Sequence, residues 1–170
     1  AIHDRQFVDK LIFSFSIPVT ELFRDPGFYQ VLRQKVVPFL RTHPFFNVWH
    51  AGCATGEEAY SLAILLKEEG LLEKSRIFAT DINEKALSTA KTGVFPIGSL
   101  KEYTANYQKG GGKQTLSDYY HAKYDLVRMK EFLRENTVFA AHNLVSDGPF
   151  NDIHLILCRN VMIYFNKQLQ

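Results

Sequence analysis

The sequence predicts an α/β fold, a parallel sheet doubly wound with helices. Three observations predict it. Strand-like and helix-like runs alternate from residue 46 onward. Each of the two helical runs between those strands stops at a glycine, Gly70 and Gly93. A glycine-bearing turn, "HAGCATGEEAYS" at 50–61, joins the first strand to the first of these helices. Strands and helices at this spacing make right-handed βαβ units. The 170 residues suffice for one domain with a sizeable core.

The elements follow in order. Residues 1–16 alternate poorly and read as the tail of a preceding helical region. Asp25-Pro26 is a helix start, with Asp as N-cap and Pro at the first helical position. Phe28, Val31, Leu32 and Val36 share one face, and Pro38 kinks or ends this helix. Four strands are expected, "FNVWHA" (46–51), "RIFATDI" (76–82), "TVFAAHN" (137–143) and "IHLILCRNVM" (153–162). One helix runs from Glu57 to Glu69; a second is capped by Asn83 and stops at Gly93. Residues of about 94–136 interrupt the alternation: a short helix, a flexible glycine loop and a small hairpin form an inserted subdomain.

Composition excludes several classes. A net charge of +2 is too small to argue for nucleic acid, and the insert's positive excess of two is explained by a solvated face. No apolar run reaches the roughly 20 residues of a membrane span, and no signal-peptide pattern opens the chain. No histidine pair has metal-ligand spacing, so no metal is expected. Cys53 and Cys158 end apolar runs and read as buried thiols, not as a bridge. The default setting is cytoplasmic.

The turn at 50–61 carries the chemistry. Ligands of doubly wound sheets sit where the first strand meets its helix, and Gly52 and Gly56 allow close backbone approach. The spacing is neither that of a dinucleotide fingerprint nor that of a phosphate-binding P-loop. Glu57 and Glu58 would repel phosphate and accept an ammonium, a sulfonium or a hydroxyl. A competing explanation is a Thr55–Glu58 capping box, with which a ligand role for Glu58 is compatible. Asp81 ends the second strand, placed to take both hydroxyls of a ribose. Together these describe an adenosine ligand without phosphates, and S-adenosylmethionine fits.

"HAGCATGEEAYSLA", "FATDIN", "HNL" and "CRNVMIYF", preceded by "TELFRD", closely resemble the CheR-type chemotaxis receptor methyltransferases. The resemblance runs from about residue 17 to the end, in order and spacing. It implies a Rossmann-like class I methyltransferase fold over 17–170, truncated at its C-terminus, with residues 1–16 the remnant of an N-terminal helical domain. It implies S-adenosylmethionine as cofactor, S-adenosylhomocysteine as product, and methyl transfer to glutamates on chemoreceptor helices. It further implies cofactor contacts at Thr20, Arg24, Gly52, Glu58, Asp81, Asn143, Leu144, Asn160 and Val161, with Arg24 and Tyr164 near the transferred methyl group. Pro18 departs from an Asn common in the family, and "NKQLQ" stops where the family continues. The fourth strand is then an open sheet edge through which the chain is expected to self-associate. The departures keep a second reading open, a cofactor-binding sensor or docking module without transfer activity. A nicotinamide-dependent dehydrogenase is disfavoured by the absence of its glycine fingerprint.

Overall fold

A computed structural model describes residues 20–165, without the side chain of Tyr164. The expectations for residues 1–16, Pro18, the Tyr164 hydroxyl and the last five residues lie outside the described residues.

The first helix, α1, begins at Pro26 and runs in three segments: Pro26–Val31, a π-helical turn Leu32–Val36, and Val37–Leu40. Pro38 has no N–H and its ring crowds the preceding turn. The register widens by one residue there, with Val37 N–H reaching back to the Leu32 carbonyl, and the helix continues instead of breaking. Leu32 is buried and Phe28 and Val36 pack against the core, but Val31, expected on the same face, is 54% exposed.

The main sheet comprises β1 (Phe46–Ala51), β2 (Ser75–Asp81), β6 (Thr137–Ala141) and β7 (Leu155–Leu157), all parallel, in the order β6-β2-β1-β7. Helix α2 (Glu57–Glu68) joins β1 to β2, and α3 (Glu84–Thr92) follows β2. Asn83 caps α3 as expected, its side-chain oxygen accepting from the Ala86 N–H at 2.9 Å. β7 is much shorter than the run at 153–162, because the chain leaves the sheet after Leu157 and ends its described part in a short 3₁₀ turn, Met162–Tyr164. β7 forms one edge of this sheet and exposes Ile156.

Helix α2 is buried on every side from Glu57 through Leu66. The sheet lies on one side, presenting Phe46, Val48, Ile77 and Leu157 to the same core. Phe23, Tyr29 and Tyr107 close the core elsewhere, with Phe23 4.8 Å from Tyr29 and 5.1 Å from Tyr107 between ring centroids. The opposite face of the sheet carries Trp49 and Phe78, both packed on Phe150 at 5.1 and 5.2 Å.

The insert makes a second sheet of β3 (Val94–Pro96), β5 (Leu126–Met129) and β4 (Tyr120–Lys123), in that order and antiparallel, with helix α4 (Leu100–Lys109) before it. The hairpin is as expected; β3 is an additional strand supplied by the end of α3. The triple glycine is packed and bonded, contrary to the flexible loop expected. Gly112 N–H reaches the Tyr107 carbonyl at 3.0 Å, and a Cβ on Gly112 would lie 2.3 Å from the Tyr107 ring. The end of α2 ties the insert down: buried Glu68 accepts from Arg33, Tyr107, Tyr119 and the Lys113 N–H, and Glu69 pairs with Arg33, Arg41 and Lys113. Such a network is costly to half-satisfy, so it fixes one placement of the insert.

Candidate functional site

The C-terminal ends of β1, β2, β6 and β7 lie side by side, and the loops leaving them carry most of the predicted residues. The loop after β1 turns sharply. Gly52 N–H and Cys53 N–H both donate to the Thr80 carbonyl, at 2.8 and 2.9 Å, which folds the chain across the end of β2. Gly52 has φ +75°, and a Cβ there would sit 2.2 Å from Val161 Cγ2. Two residues expected in the site from distant parts of the sequence thus touch, and glycine is what lets them. Gly56, with φ +97°, starts α2, and its missing Cβ leaves room for Ala90 of α3 at 2.8 Å.

Asp81 is held rigidly. One carboxylate oxygen accepts from the Ala54 N–H and the other from the Asn83 N–H, each at 2.8 Å. Each oxygen retains further acceptor capacity, so a fixed bidentate acceptor for a diol stands at the end of β2. Asn143, after β6, accepts the Val145 N–H with its side-chain oxygen at 2.9 Å, and its NH₂ is a further group it can offer a ligand. Leu144 beside it is half-buried. Asn160 is exposed with φ +55°, a left-handed backbone that Asn tolerates better than most residues. Thr20 is half-buried at the start of the described chain.

The capping box expected from Thr55 and Glu58 does not form. Gly56 is the N-cap and gives no side chain; Thr55 Oγ1 donates to Glu57 Oε2 at 2.6 Å instead. Burial pushes the Glu57 carboxyl up to about 7, opposed by the Thr55 hydroxyl and a backbone N–H. Likewise Asp25 occupies the N-cap position of α1 without capping it. Its carboxylate is drawn to the guanidinium of Arg159.

Arg159, which follows β7, is the residue that sequence reasoning missed. It donates to Glu58 Oε2 at 2.8 Å, to Asp25 and to the Arg24 carbonyl at 3.4 Å, and stacks 4.1 Å above the Phe28 ring. It clamps the segment before α1, the start of α2 and the end of β7 together. On the other side of Glu58, His50 Nε2 stands 3.3 Å from Oε1. Burial would raise the Glu58 carboxyl, yet it is held below its ordinary value, because the His50 contact and the Arg159 and Arg24 charges outweigh burial. Glu58 is therefore ionised, and Arg24 lies close enough to act on it. The signal available in the sequence was the glutamate itself: a carboxylate inside a buried helix start needs a cation, and "CRN" offers one.

The segment carrying Arg24 is fixed from beneath. Phe23 N–H donates to Ser61 Oγ, which in turn donates to the Glu57 carbonyl, both at 2.8 Å. Phe23, Asp25, Ala54 and Asn160 all have positive φ, four of the six non-glycine cases among the described residues. Backbone strain is concentrated around this cleft, as at many ligand sites. Both cysteines are free thiols; Cys53 is buried, Cys158 half-buried, and burial raises both.

Four carboxyls, Asp25, Glu57, Glu58 and Asp81, and two guanidinium groups, Arg24 and Arg159, stand around these loops. Among the described residues no helix is long and apolar enough to cross a membrane.

Comparison with known proteins agrees with this geometry. The family model described as "CheR methyltransferase, SAM binding domain" matches residues 18–170. The chain is 49% identical over 169 residues to "Putative methyltransferase Cher3" of Pseudomonas putida, covering 99% of this chain and 62% of that protein. It is 35% identical over 176 residues to an uncharacterized 104.1 kDa protein of Rhodobacter capsulatus, covering 99% of this chain and 18% of that one. It is 33% identical over 172 residues to a chemotaxis protein methyltransferase of Borreliella burgdorferi, covering 94% and 58%. The chain thus spans less than two thirds of the length of each of these relatives. With its parallel sheet, glycine turn and fixed Asp81 in the matched region, this chain belongs to the CheR methyltransferase family, as its S-adenosylmethionine-binding domain.

Proposed function

We propose that the chain is the catalytic core of an S-adenosylmethionine-dependent methyltransferase that esterifies glutamate side chains of chemoreceptors. The observation that carries this reading is a rigidly held Asp81 together with an ionised Glu58 on the loops at the C-terminal end of the sheet. Asp81 would hold the ribose, Asn143 and Leu144 the adenine edge, and Glu58 the ammonium of the amino-acid tail. Thr20, Asn160 and Val161 would line the same cleft. Bound S-adenosylmethionine supplies a sulfonium methyl group.

The chain's own part is binding and alignment. A substrate glutamate is ionised at neutral pH, so no general base is required. Its oxygen would take the methyl group, with the electron pair of the sulfur–carbon bond left on sulfur, so no residue of the chain has a proton to move. Alignment of the two reactants contributes roughly 7–11 kcal/mol in favourable cases. Opposite charges neutralise along the path, so exclusion of water favours it. Arg24 would hold a carboxylate with its forked guanidinium, and Tyr164 would stand beside the transferred group. The Borreliella burgdorferi relative, by its name a chemotaxis protein methyltransferase, supports the receptor as substrate.

Calorimetric titration with S-adenosylhomocysteine and with NAD, followed by methyl transfer to receptor fragments, tests the proposal. Binding of the first ligand and not of the second, with ester formation, is expected. No binding of S-adenosylhomocysteine would refute it. Binding without transfer would favour a sensor or docking module.

A further inference from the structure

His50 stands where the sheet should be apolar. It is the fifth residue of β1, on the face that presents Phe46 and Val48 to α2, and it is 2% exposed. Among the described residues its Nδ1 has no hydrogen-bond partner, and its Nε2 lies 3.3 Å from the Glu58 carboxylate. A buried, unpaired ring nitrogen is costly. Glu58 Oε2 is already fixed by Arg159, while Oε1, buried, has no hydrogen-bond partner of ordinary geometry among the described residues and lies 3.3 Å from this ring nitrogen. A proton on Nε2 places a donor toward Oε1.

We infer that His50 is a positioning residue of the cofactor site: through Nε2–H it sets the orientation of Glu58 from behind, and thereby the selection of ligands that carry a cationic amino-acid tail. The inference rests on the cofactor reading above. It distinguishes His50 from a mere core filler, because a core filler would affect every ligand of the cleft alike. His50 touches no ligand itself; the consequence appears only where a ligand reaches Glu58.

The test compares two ligands that share an adenosine and differ in the tail, S-adenosylhomocysteine and 5′-methylthioadenosine, on the unmodified chain and on His50→Leu and His50→Gln. The unmodified chain should prefer S-adenosylhomocysteine. His50→Leu should weaken it about tenfold, as expected where a buried carboxylate loses its polar neighbour, with 5′-methylthioadenosine changed less than about twofold. His50→Gln, which retains an N–H donor of similar reach, should restore most of the difference. Equal weakening of both ligands, or of neither, would overturn the inference. Nitrogen-15 NMR of the histidine ring in the unmodified chain gives a result even if a variant does not fold. An Nε2–H signal perturbed by S-adenosylhomocysteine and not by 5′-methylthioadenosine supports the role, and a ring that responds to both or neither overturns it. If the unmodified chain binds 5′-methylthioadenosine and S-adenosylhomocysteine equally, His50 has no such role, yet the adenosine site stands. If it binds neither, the cofactor reading itself falls.

Discussion

Replacing Glu57 with Gln should stabilise the protein, and only above a defined pH. Glu57 is 6% exposed at the start of α2, and its one side-chain donor is the Thr55 hydroxyl at 2.6 Å. Burial raises its carboxyl from an ordinary value of 4.5 to about 7, against the partial relief from Thr55 and a backbone N–H. The folded chain therefore holds this proton more tightly than the unfolded chain. Stability from this group is complete below pH 4.5, declines as pH rises, and is lost by about pH 7. At about 1.36 kcal/mol for each pH decade, the penalty carried by the ionised form at pH 8 is about 3 kcal/mol. Gln can still accept from Thr55 and never ionises. It forgoes the attraction of a carboxylate to the helix N-terminus, typically ~0.3–1 kcal/mol. The cost of burying the charge exceeds that attraction, so Glu57→Gln should gain roughly 2–3 kcal/mol at pH 8 and almost nothing at pH 4.5. For a chain of this size the gain corresponds to roughly 4–12 °C in Tm. Urea denaturation of both proteins at pH 5 and pH 8 measures it. A difference independent of pH, or a loss at pH 8, would show that Glu57 is not a strained buried carboxyl.

Arg159→Ala should cost roughly 3–5 kcal/mol at pH 7, because it strands Glu58 in a buried setting; with Glu58 now raised by burial, the deficit should shrink on acidification, and a pH-independent deficit in denaturant midpoints would exclude the ion pair as its cause. Gly56→Ala places a Cβ 2.8 Å from Ala90 at φ +97° and should lose at least about 2 kcal/mol by chemical denaturation; an unchanged midpoint would refute the close α2–α3 contact. Asp81→Ala should weaken S-adenosylhomocysteine by more than about tenfold in calorimetry, and unchanged affinity would remove Asp81 from the ribose. Arg24→Ala should lower the rate of methyl transfer more than it lowers cofactor affinity; unchanged turnover would remove Arg24 from the reaction centre.

Much of the fold was legible because it rests on local rules. β1 coincides with the run at 46–51, and α2 and α3 stop where Gly70 and Gly93 take left-handed φ. Asn83 caps α3 because its oxygen meets the Ala86 N–H three residues on. The errors are instructive for the same reason. Thr55 has two glutamates within reach, and a left-handed Gly56 between them sends its hydroxyl to the nearer one. Only three residues of "IHLILCRNVM" pair, because the chain turns out of the sheet at Arg159 and Asn160 and brings Val161 onto Gly52.

The sequence by itself determined the sheet, its helices, the glycine turn and an acidic residue at the end of β2, since periodicity, caps and turns are written over a few neighbouring positions. Only the tertiary structure decided that Glu58 lies between His50 and Arg159, the latter 101 residues away, and that Asp25 serves that arginine instead of its own helix. No periodic pattern marks such partners. They are chosen when a carboxylate is buried and must find the cation that folding brings beside it.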